Sequence, residues 1–268
     1  MESSESARPL ALVTGASSGI GLELAKQFAS NGFDLVIAAE DDELDAATEQ
    51  IQSVGAAVTP ARVDLATDEG VDALYGAIGT AGRPVDAVAL NAGIGAGGAF
   101  ATDTDLHDEL KLIDLNVRST VHLAEHVVRD MVAPDEGRIL FTSSIASTMP
   151  GSFQAVYNAS KSFVQSFALA LRDELRDTNV TVTSLMPGPT DTEFFERADM
   201  LDTKVGTDEK DDPADVAKIG YEAMLRGDGE VITGWHNKLR AAIANVLPNS
   251  VVAEQHRKMA EPGSASER

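Results

Sequence analysis

The sequence predicts one α/β domain built on a doubly wound parallel sheet of about seven strands. Three observations carry this. Short apolar runs of strand length alternate with longer segments of helical period, the pattern of a parallel sheet covered on both faces. A glycine-rich turn, Gly15-Ala16-Ser17-Ser18-Gly19-Ile20-Gly21, joins the first run to the first helix. The other polar motifs also follow apolar runs, at the carboxyl ends of strands, where ligands of open α/β sheets bind. A length of 268 residues with 43% hydrophobic content suits a single core of this kind.

The elements follow in order. Residues 10–14 form a first strand. Leu22, Ala25, Phe28 and Ala29 recur at helical spacing, and Asn31-Gly32 ends that helix. Residues 34–39 read as a buried strand, followed by a helix through Leu44, Ala47 and Ile51 that stops at Gly55. The third strand spans 57–63, with Thr67 as N-cap of the next helix. A fourth strand over 85–90, a long helix over 103–132, a fifth strand over 138–143, a helix over 153–176 and a sixth strand over 180–186 complete the main alternation. Residues 231–233 supply a seventh strand. The organisation expected is a polar tail over 1–9, a nucleotide-binding and catalytic domain over 10–235, a helical extension over 236–260 and a frayed tail over 261–268. Leu239, Ala242, Ile243, Val246 and Leu247 give the extension an apolar face that needs cover, on the substrate side or at a subunit contact. The acidic stretch 191–215, interrupted by Phe194, Phe195, Met200 and Leu201, is either a lid or an ordinary surface loop.

Composition narrows the function. Cysteine is absent, which removes disulfides and thiolate chemistry and fits a reducing, cytoplasmic setting. The start of the chain lacks the basic and apolar pattern of a signal peptide, and no apolar run approaches the ~20 residues that span a bilayer. With 43 acidic and 21 basic residues, the net charge of −22 disfavours nucleic-acid binding. That acidity bears on solubility and habitat, a high-salt cytoplasm included, rather than on the reaction. No metal site is expected: the five histidines, His107, His122, His126, His236 and His256, read as scattered and without an acid partner.

Gly15, Gly19 and Gly21 permit a tight turn and a close backbone approach to a pyrophosphate, and the helix that follows offers free N–H groups. Gly15-Ala16-Ser17-Ser18-Gly19 also matches a hydrolase nucleophile elbow, but only 14 residues precede it and no His-Gly-Gly oxyanion segment follows. Tyr157 and Lys161 stand four residues apart on one helical face, and Ser144 lies thirteen residues before Tyr157. A phenol beside an ammonium suits general acid–base work, the ammonium lowering the phenol's pKa by ~1–3 units.

With these motifs the chain resembles the short-chain dehydrogenase/reductase family from about Pro9 to about Trp235. The resemblance implies a Rossmann-type fold and an oxidoreductase that interconverts a secondary alcohol and a ketone by hydride transfer. It makes Tyr157 the general acid/base, Lys161 its tuner and ribose ligand, Ser144 the hydrogen-bond donor to substrate oxygen, and Asn116 the anchor of a water that links Lys161 to solvent. The alternative for Asn116 is a buried asparagine bracing a helix. The same resemblance assigns Gly15, Ser17, Ser18, Gly19, Ile20 and Gly21 to the cofactor. It adds Asp64 and Leu65 at the adenine, Asn91, Ala92 and Gly93 after the fourth strand with Asn91 mainly structural, and Pro187, Gly188, Thr190 and Thr192 at the nicotinamide.

The acids Glu40-Asp41-Asp42-Glu43 favour NAD over NADP, with Glu40 as the ribose ligand and Arg62 in a surface ion pair. Ile94, Ile145, Met149, Phe153, Phe194 and Phe195 predict an apolar substrate pocket. The partner expected is a small carbonyl or alcohol, with neither nucleic acid nor membrane. The resemblance adds a homo-oligomer, a dimer or tetramer, and because Trp235 and about thirty more residues follow the last strand, pairing through that strand is disfavoured. A non-catalytic dinucleotide-binding sensor is the competing class, marked by loss of the tyrosine or lysine, both of which are present.

Overall fold

In the computed structural model, which describes residues 8–244 and 247–265, seven parallel strands form one sheet in the order β3-β2-β1-β4-β5-β6-β7. They are β1 Leu10–Thr14, β2 Asp34–Ala39, β3 Val58–Arg62, β4 Ala87–Leu90, β5 Gly137–Thr142, β6 Val180–Met186 and β7 Glu230–Ile232. The central strands are apolar at nearly every position because both faces are covered. Alternate residues feed two cores. Leu12, Val36, Val88 and Ile139 face one side, and Val13, Leu35, Ala89 and Leu140 face the other. The edge strands differ. β3 exposes Thr59 and Pro60, and proline is tolerated there because no further strand needs its N–H.

The helices on the second face are α1 Gly19–Ser30, α2 Glu43–Gln52 and α9 Pro213–Arg226. On the first face lie α3 Asp68–Thr80, α4 Leu106–Ile113, α5 Ser119–Val132 and α6 Ala155–Glu174. Several ends follow sequence rules. Thr67 caps α3 by accepting from Gly70 N–H at 3.0 Å. Asp212 caps α9 with Pro213 in its first turn, and Gly227 ends it in the left-handed region.

The helix expected over 103–132 is two arms joined by one wide turn. Asp105 caps its true start by accepting from His107 N–H at 2.7 Å. Over Asp114–Arg118 the backbone widens to i→i+5 hydrogen bonding, Ser119 N–H donating to Asp114 C=O. The Ser119 and Thr120 hydroxyls then donate to the Leu115 and Asn116 carbonyls at 2.5 and 2.9 Å.

After β6 the chain makes two short helices, α7 Phe194–Arg197 and α8 Lys204–Thr207. Asp211 fastens this excursion at its base. Its backbone pairs with Pro189 and Asp191, and its carboxylate accepts from Asn237 at 3.2 Å and Thr233 at 3.4 Å. Beyond β7 come α10 Trp235–Ala244 and α11 Asn249–Ala260. The predicted apolar face of the extension is not what α10 buries. Asn237 and Ala241 are buried, whereas Leu239 and Ile243 are exposed and Leu247 is half-buried. The side chains of Ala242 and Val246 lie outside the described residues. Asn237 faces inward because its amide spans Thr233 and Asp211. Of the expected tails, residues 1–7 and 266–268 lie outside the described residues. Arg8 reaches Asp34 and the Gly32 carbonyl, and Gly263 and Ala265 donate to Asp202. Among the described residues no helix is long and apolar enough to cross a membrane.

Candidate active site

A cavity of about 630 Å³ opens along the carboxyl ends of the strands, at the switch between β1 and β4. Every residue predicted to hold cofactor lines it: Gly15 through Gly21 apart from Ala16, Glu40, Asp64, Leu65, Asn91 to Gly93, Tyr157, Lys161, Pro187, Gly188, Thr190 and Thr192. The turn has room for nothing but glycine. Gly15 and Gly19 take φ of +65° and +53°, and a Cβ on Gly21 would sit 1.9 Å from the Gly15 carbonyl oxygen. Thr192 packs directly over Gly19, so the turn after β1 and the loop after β6 close on each other. This glycine floor, with a helix start behind it, fits a dinucleotide pyrophosphate.

Asn91 is a structural clamp. Its amide donates to the Thr14 carbonyl at 3.1 Å and accepts from Thr142 at 3.0 Å, tying β1, β4 and β5 together. At the ribose end the structure brings up a residue that the sequence did not single out. Asp41 accepts from Ser17 Oγ at 2.9 Å, and its other oxygen is buried with no partner among the described residues. Glu40 is more exposed and pairs across the cavity rim with Lys111, 3.5 Å away. Arg62 is held by Asp42 and Asp45 at 2.5 and 2.8 Å, as the surface pair expected.

Ser144, Tyr157 and Lys161 converge on the far end of the cavity. Ser144 follows β5 in extended conformation, and its hydroxyl accepts from Ala146 N–H at 3.1 Å and stands close enough to the Tyr157 phenol to pull its pKa down. Tyr157 and Lys161 share the inner face of α6 and are both buried. Lys161 Nζ donates to the Thr142 carbonyl at 3.0 Å and lies 6.0 Å from the centre of the Tyr157 ring. Burial pushes the phenol up to about 12, against the downward pull of the Ser144 hydroxyl. Burial alone brings the Lys161 ammonium down to about 8. The lowered phenol expected from the i, i+4 pair is therefore absent here: desolvation of a fully enclosed phenolate outweighs an ammonium held at the ring's distance.

Asn116 sits in the wide turn, 1% exposed, behind the cavity rather than in its lining. Its side chain brackets the backbone of Ile94, accepting from N–H and donating to C=O at 2.9 Å each, and donates to Ser160 at 3.0 Å. The bracing role named as the alternative is thus present. Gly93 adds a second feature: a Cβ there would lie 3.0 Å from Asn116 Oδ1 and 3.1 Å from Lys161 Nζ. Any side chain at this position would therefore crowd both polar groups.

Of the predicted substrate pocket, Ile94, Ile145, Met149, Phe194 and Phe195 line the cavity. Phe153 does not. Its backbone takes φ +62°, which turns the ring toward Arg257, 5.0 Å away, and the small cluster around Phe195 and Met200. The 191–215 segment covers the site, with the Phe194 ring 5.2 Å from that of Tyr157. Gln154, His256 and Met259 also line the cavity, the last two from α11. Helical periodicity alone could not show that this distant helix returns to the site.

Comparison with known proteins agrees with this geometry. The profile described as short chain dehydrogenase matches residues 9–200. An uncharacterized short-chain type dehydrogenase/reductase of Sinorhizobium fredii is 36% identical over 242 residues, 90% of this chain and 87% of that protein. Among solved structures, a short-chain dehydrogenase from Sphingobium yanoikuyae in complex with NADPH superposes with a TM-score of 0.78 at 27% identity, covering 90% of this chain and 96% of that one. One from Burkholderia phymatum in complex with NAD gives 0.80 at 25% identity, covering 88% and 92%. The chain belongs to the short-chain dehydrogenase/reductase family and is an oxidoreductase of the nicotinamide-dependent kind.

Proposed function

We propose that this protein reduces a ketone to a secondary alcohol, and catalyses the reverse, with Tyr157 as the proton donor. The observation that carries the reading is the buried Ser144–Tyr157–Lys161 group at one end of a cavity floored by Gly15, Gly19 and Gly21. A bound nicotinamide supplies or accepts the hydride. The chain's own residues do the rest. Ser144 positions the carbonyl oxygen by hydrogen bonding and stabilises charge as it develops. A phenol held near 12 stays protonated at neutral pH, the form that carbonyl reduction requires, and the more basic alkoxide takes its proton. Lys161 holds the ribose side and exchanges protons with the phenol's surroundings, with Asn116 behind Gly93 on its other side.

The lining favours a neutral substrate with an apolar body. Ile94, Ile145, Met149, Phe194, Phe195 and Met259 form the walls. The acids Asp103, Asp105, Asp108, Glu109, Glu193 and Asp199 also line the cavity. Apart from Lys161, which sits beside Tyr157, the Lys and Arg residues lining it are paired with carboxylates, Arg197 with Glu43 and Glu193, and Lys111 with Glu40. In a carbonyl and alcohol panel followed by nicotinamide absorbance, neutral ketones should exceed oxo acids of similar size by at least tenfold in kcat/KM. Turnover of oxo acids as fast as neutral ketones would contradict the substrate reading, and no turnover of any carbonyl with either nicotinamide would favour the sensor class.

For the cofactor, NAD is the reading, now resting on Asp41 rather than Glu40. A buried carboxylate oxygen lacking a partner suits a ribose hydroxyl and repels a 2′-phosphate by roughly 1 kcal/mol or more. Asp41→Asn should move the kcat/KM ratio toward NADP(H) by about fivefold, which is that energy expressed as a rate. A wild-type preference for NADP(H) of tenfold or more overturns this assignment, and ionic strength must be fixed because salt screens the repulsion.

A further inference from the structure

We propose that His122, His126 and Asp72 form a binding site for a divalent transition-metal ion, zinc in the first place, on the outer surface between α3 and α5. His122 and His126 stand one turn apart on α5, and Asp72 faces them from α3. One ligating atom from each of the three lies within 4.8 Å of the other two. None of the three lines the cavity described above. The sequence reads these histidines as scattered because the carboxylate that completes them is fifty residues away in the chain.

Two imidazoles and a carboxylate are ligands that zinc and its neighbours favour, and they leave a fourth position for water. His122 Nε2 is 3.2 Å from Asp72 Oδ1. Its Nδ1 lies 3.7 Å from Asp68 Oδ1, a nearby negative charge outside hydrogen-bond distance. His126 repeats the arrangement. Its Nδ1 lies 3.8 Å from Glu125 Oε2, while Nε2 is buried and has no hydrogen-bond partner among the described residues. A buried ring nitrogen without a partner is costly unless something occupies it. The ring is also held in place: Tyr75 stacks on it at 4.3 Å and 15°, and the Tyr75 hydroxyl is fixed by Asp130 at 2.9 Å.

Bonds of about 2.0 Å in a tetrahedron put ligand atoms roughly 3.3 Å apart. The 3.2 Å between His122 Nε2 and Asp72 Oδ1 already matches that spacing, the remaining separations are within 4.8 Å, and Asp72, whose side chain is 66% exposed, has only His122 as an ion-pair partner among the described residues. Bound metal would clip α3 to α5 and stabilise the fold without touching the chemistry, since anything that binds the folded state alone raises its stability.

The test uses the full chain freed of metal by chelator and dialysis. Calorimetric titration with zinc should show one site per chain, and zinc should raise Tm by several degrees, while magnesium does neither. His126→Gln and His122→Gln should each weaken zinc binding at least tenfold and abolish the Tm rise, with metal-free Tm and kcat near wild type. Asp72→Asn should weaken it less than either histidine change. The proposal is overturned by the absence of one-to-one zinc binding, by equal responses to zinc and magnesium, or by variants that bind zinc like wild type. Should a glutamine variant be unfolded without metal, the intact chain's stoichiometry and its protection from histidine-directed modification by zinc decide the matter.

Discussion

Tyr157→Phe is expected to lower kcat by more than ~100-fold while cofactor affinity stays close to unchanged. The substitution removes one oxygen from a residue that is 8% exposed and already packed against Phe194. The fold should accept it readily, because the phenol's polar neighbour is the Ser144 side chain rather than a structural backbone group. What disappears is the proposed proton donor, and general acid catalysis is worth about 10²–10⁴ in rate. Ser144 still polarises the carbonyl, so a small residual rate should persist. Single-turnover kinetics with a neutral ketone would read the chemical step directly. A variant with a third of wild-type kcat would show that the proton comes from elsewhere.

Lys161→Met should have two opposite effects. Turnover should fall by at least ~100-fold and cofactor binding should weaken if, as proposed, the ammonium serves both ribose and proton transfer. Stability at pH 7 should rise. The folded protein holds Lys161 at about 8, against 10.5 for an unburied lysine. Between those values the unfolded chain binds more protons, so the wild type gains stability as pH rises from 8 to 10.5. Below pH 8 the wild type carries the full cost of the buried charge, ~3 kcal/mol at 1.36 kcal/mol per unit. Methionine fills similar space and escapes that cost, though it forfeits the 3.0 Å bond to Thr142. Denaturant unfolding at pH 7 and pH 10.5 checks this. The variant should be the more stable at the lower pH, with the difference shrinking at the higher. A variant less stable than wild type at pH 7 would mean that Lys161 braces the fold more than its burial strains it.

How much was legible beforehand depends on the range of the interaction. Strands β1, β2 and β4 declare themselves in nearly unbroken apolar runs, and the glycine turn, Thr67 and Gly227 follow rules that act within a few residues. Ser144, Tyr157 and Lys161 keep a fixed spacing along adjacent elements, so their convergence could be foreseen. Other features hinge on backbone detail that side-chain pattern does not encode. The positive φ of Phe153 removes it from the cavity, and nothing in Glu40-Asp41-Asp42-Glu43 shows which carboxylate turns inward. In α10 the apolar stripe through Leu239 and Ile243 suggested cover, but polar Asn237 won the inner face through its bonds to Asp211 and Thr233. The i, i+4 spacing of His122 and His126 was readable, and only the fold could supply Asp72.

The wide turn at Asp114–Arg118 makes one continuous rod of two differently phased helices. Each added residue in a helix brings about 100° of rotation. The upstream arm can therefore aim Glu109 and Lys111 at the cavity while the downstream arm aims Leu123 and Val127 at the sheet. No loop lies between the arms to absorb a change. Chain length is thus quantised across these five residues: deleting one would swing one arm's face by more than a quarter of a revolution, whereas residues added between β4 and α4 would cost only slowly growing loop entropy.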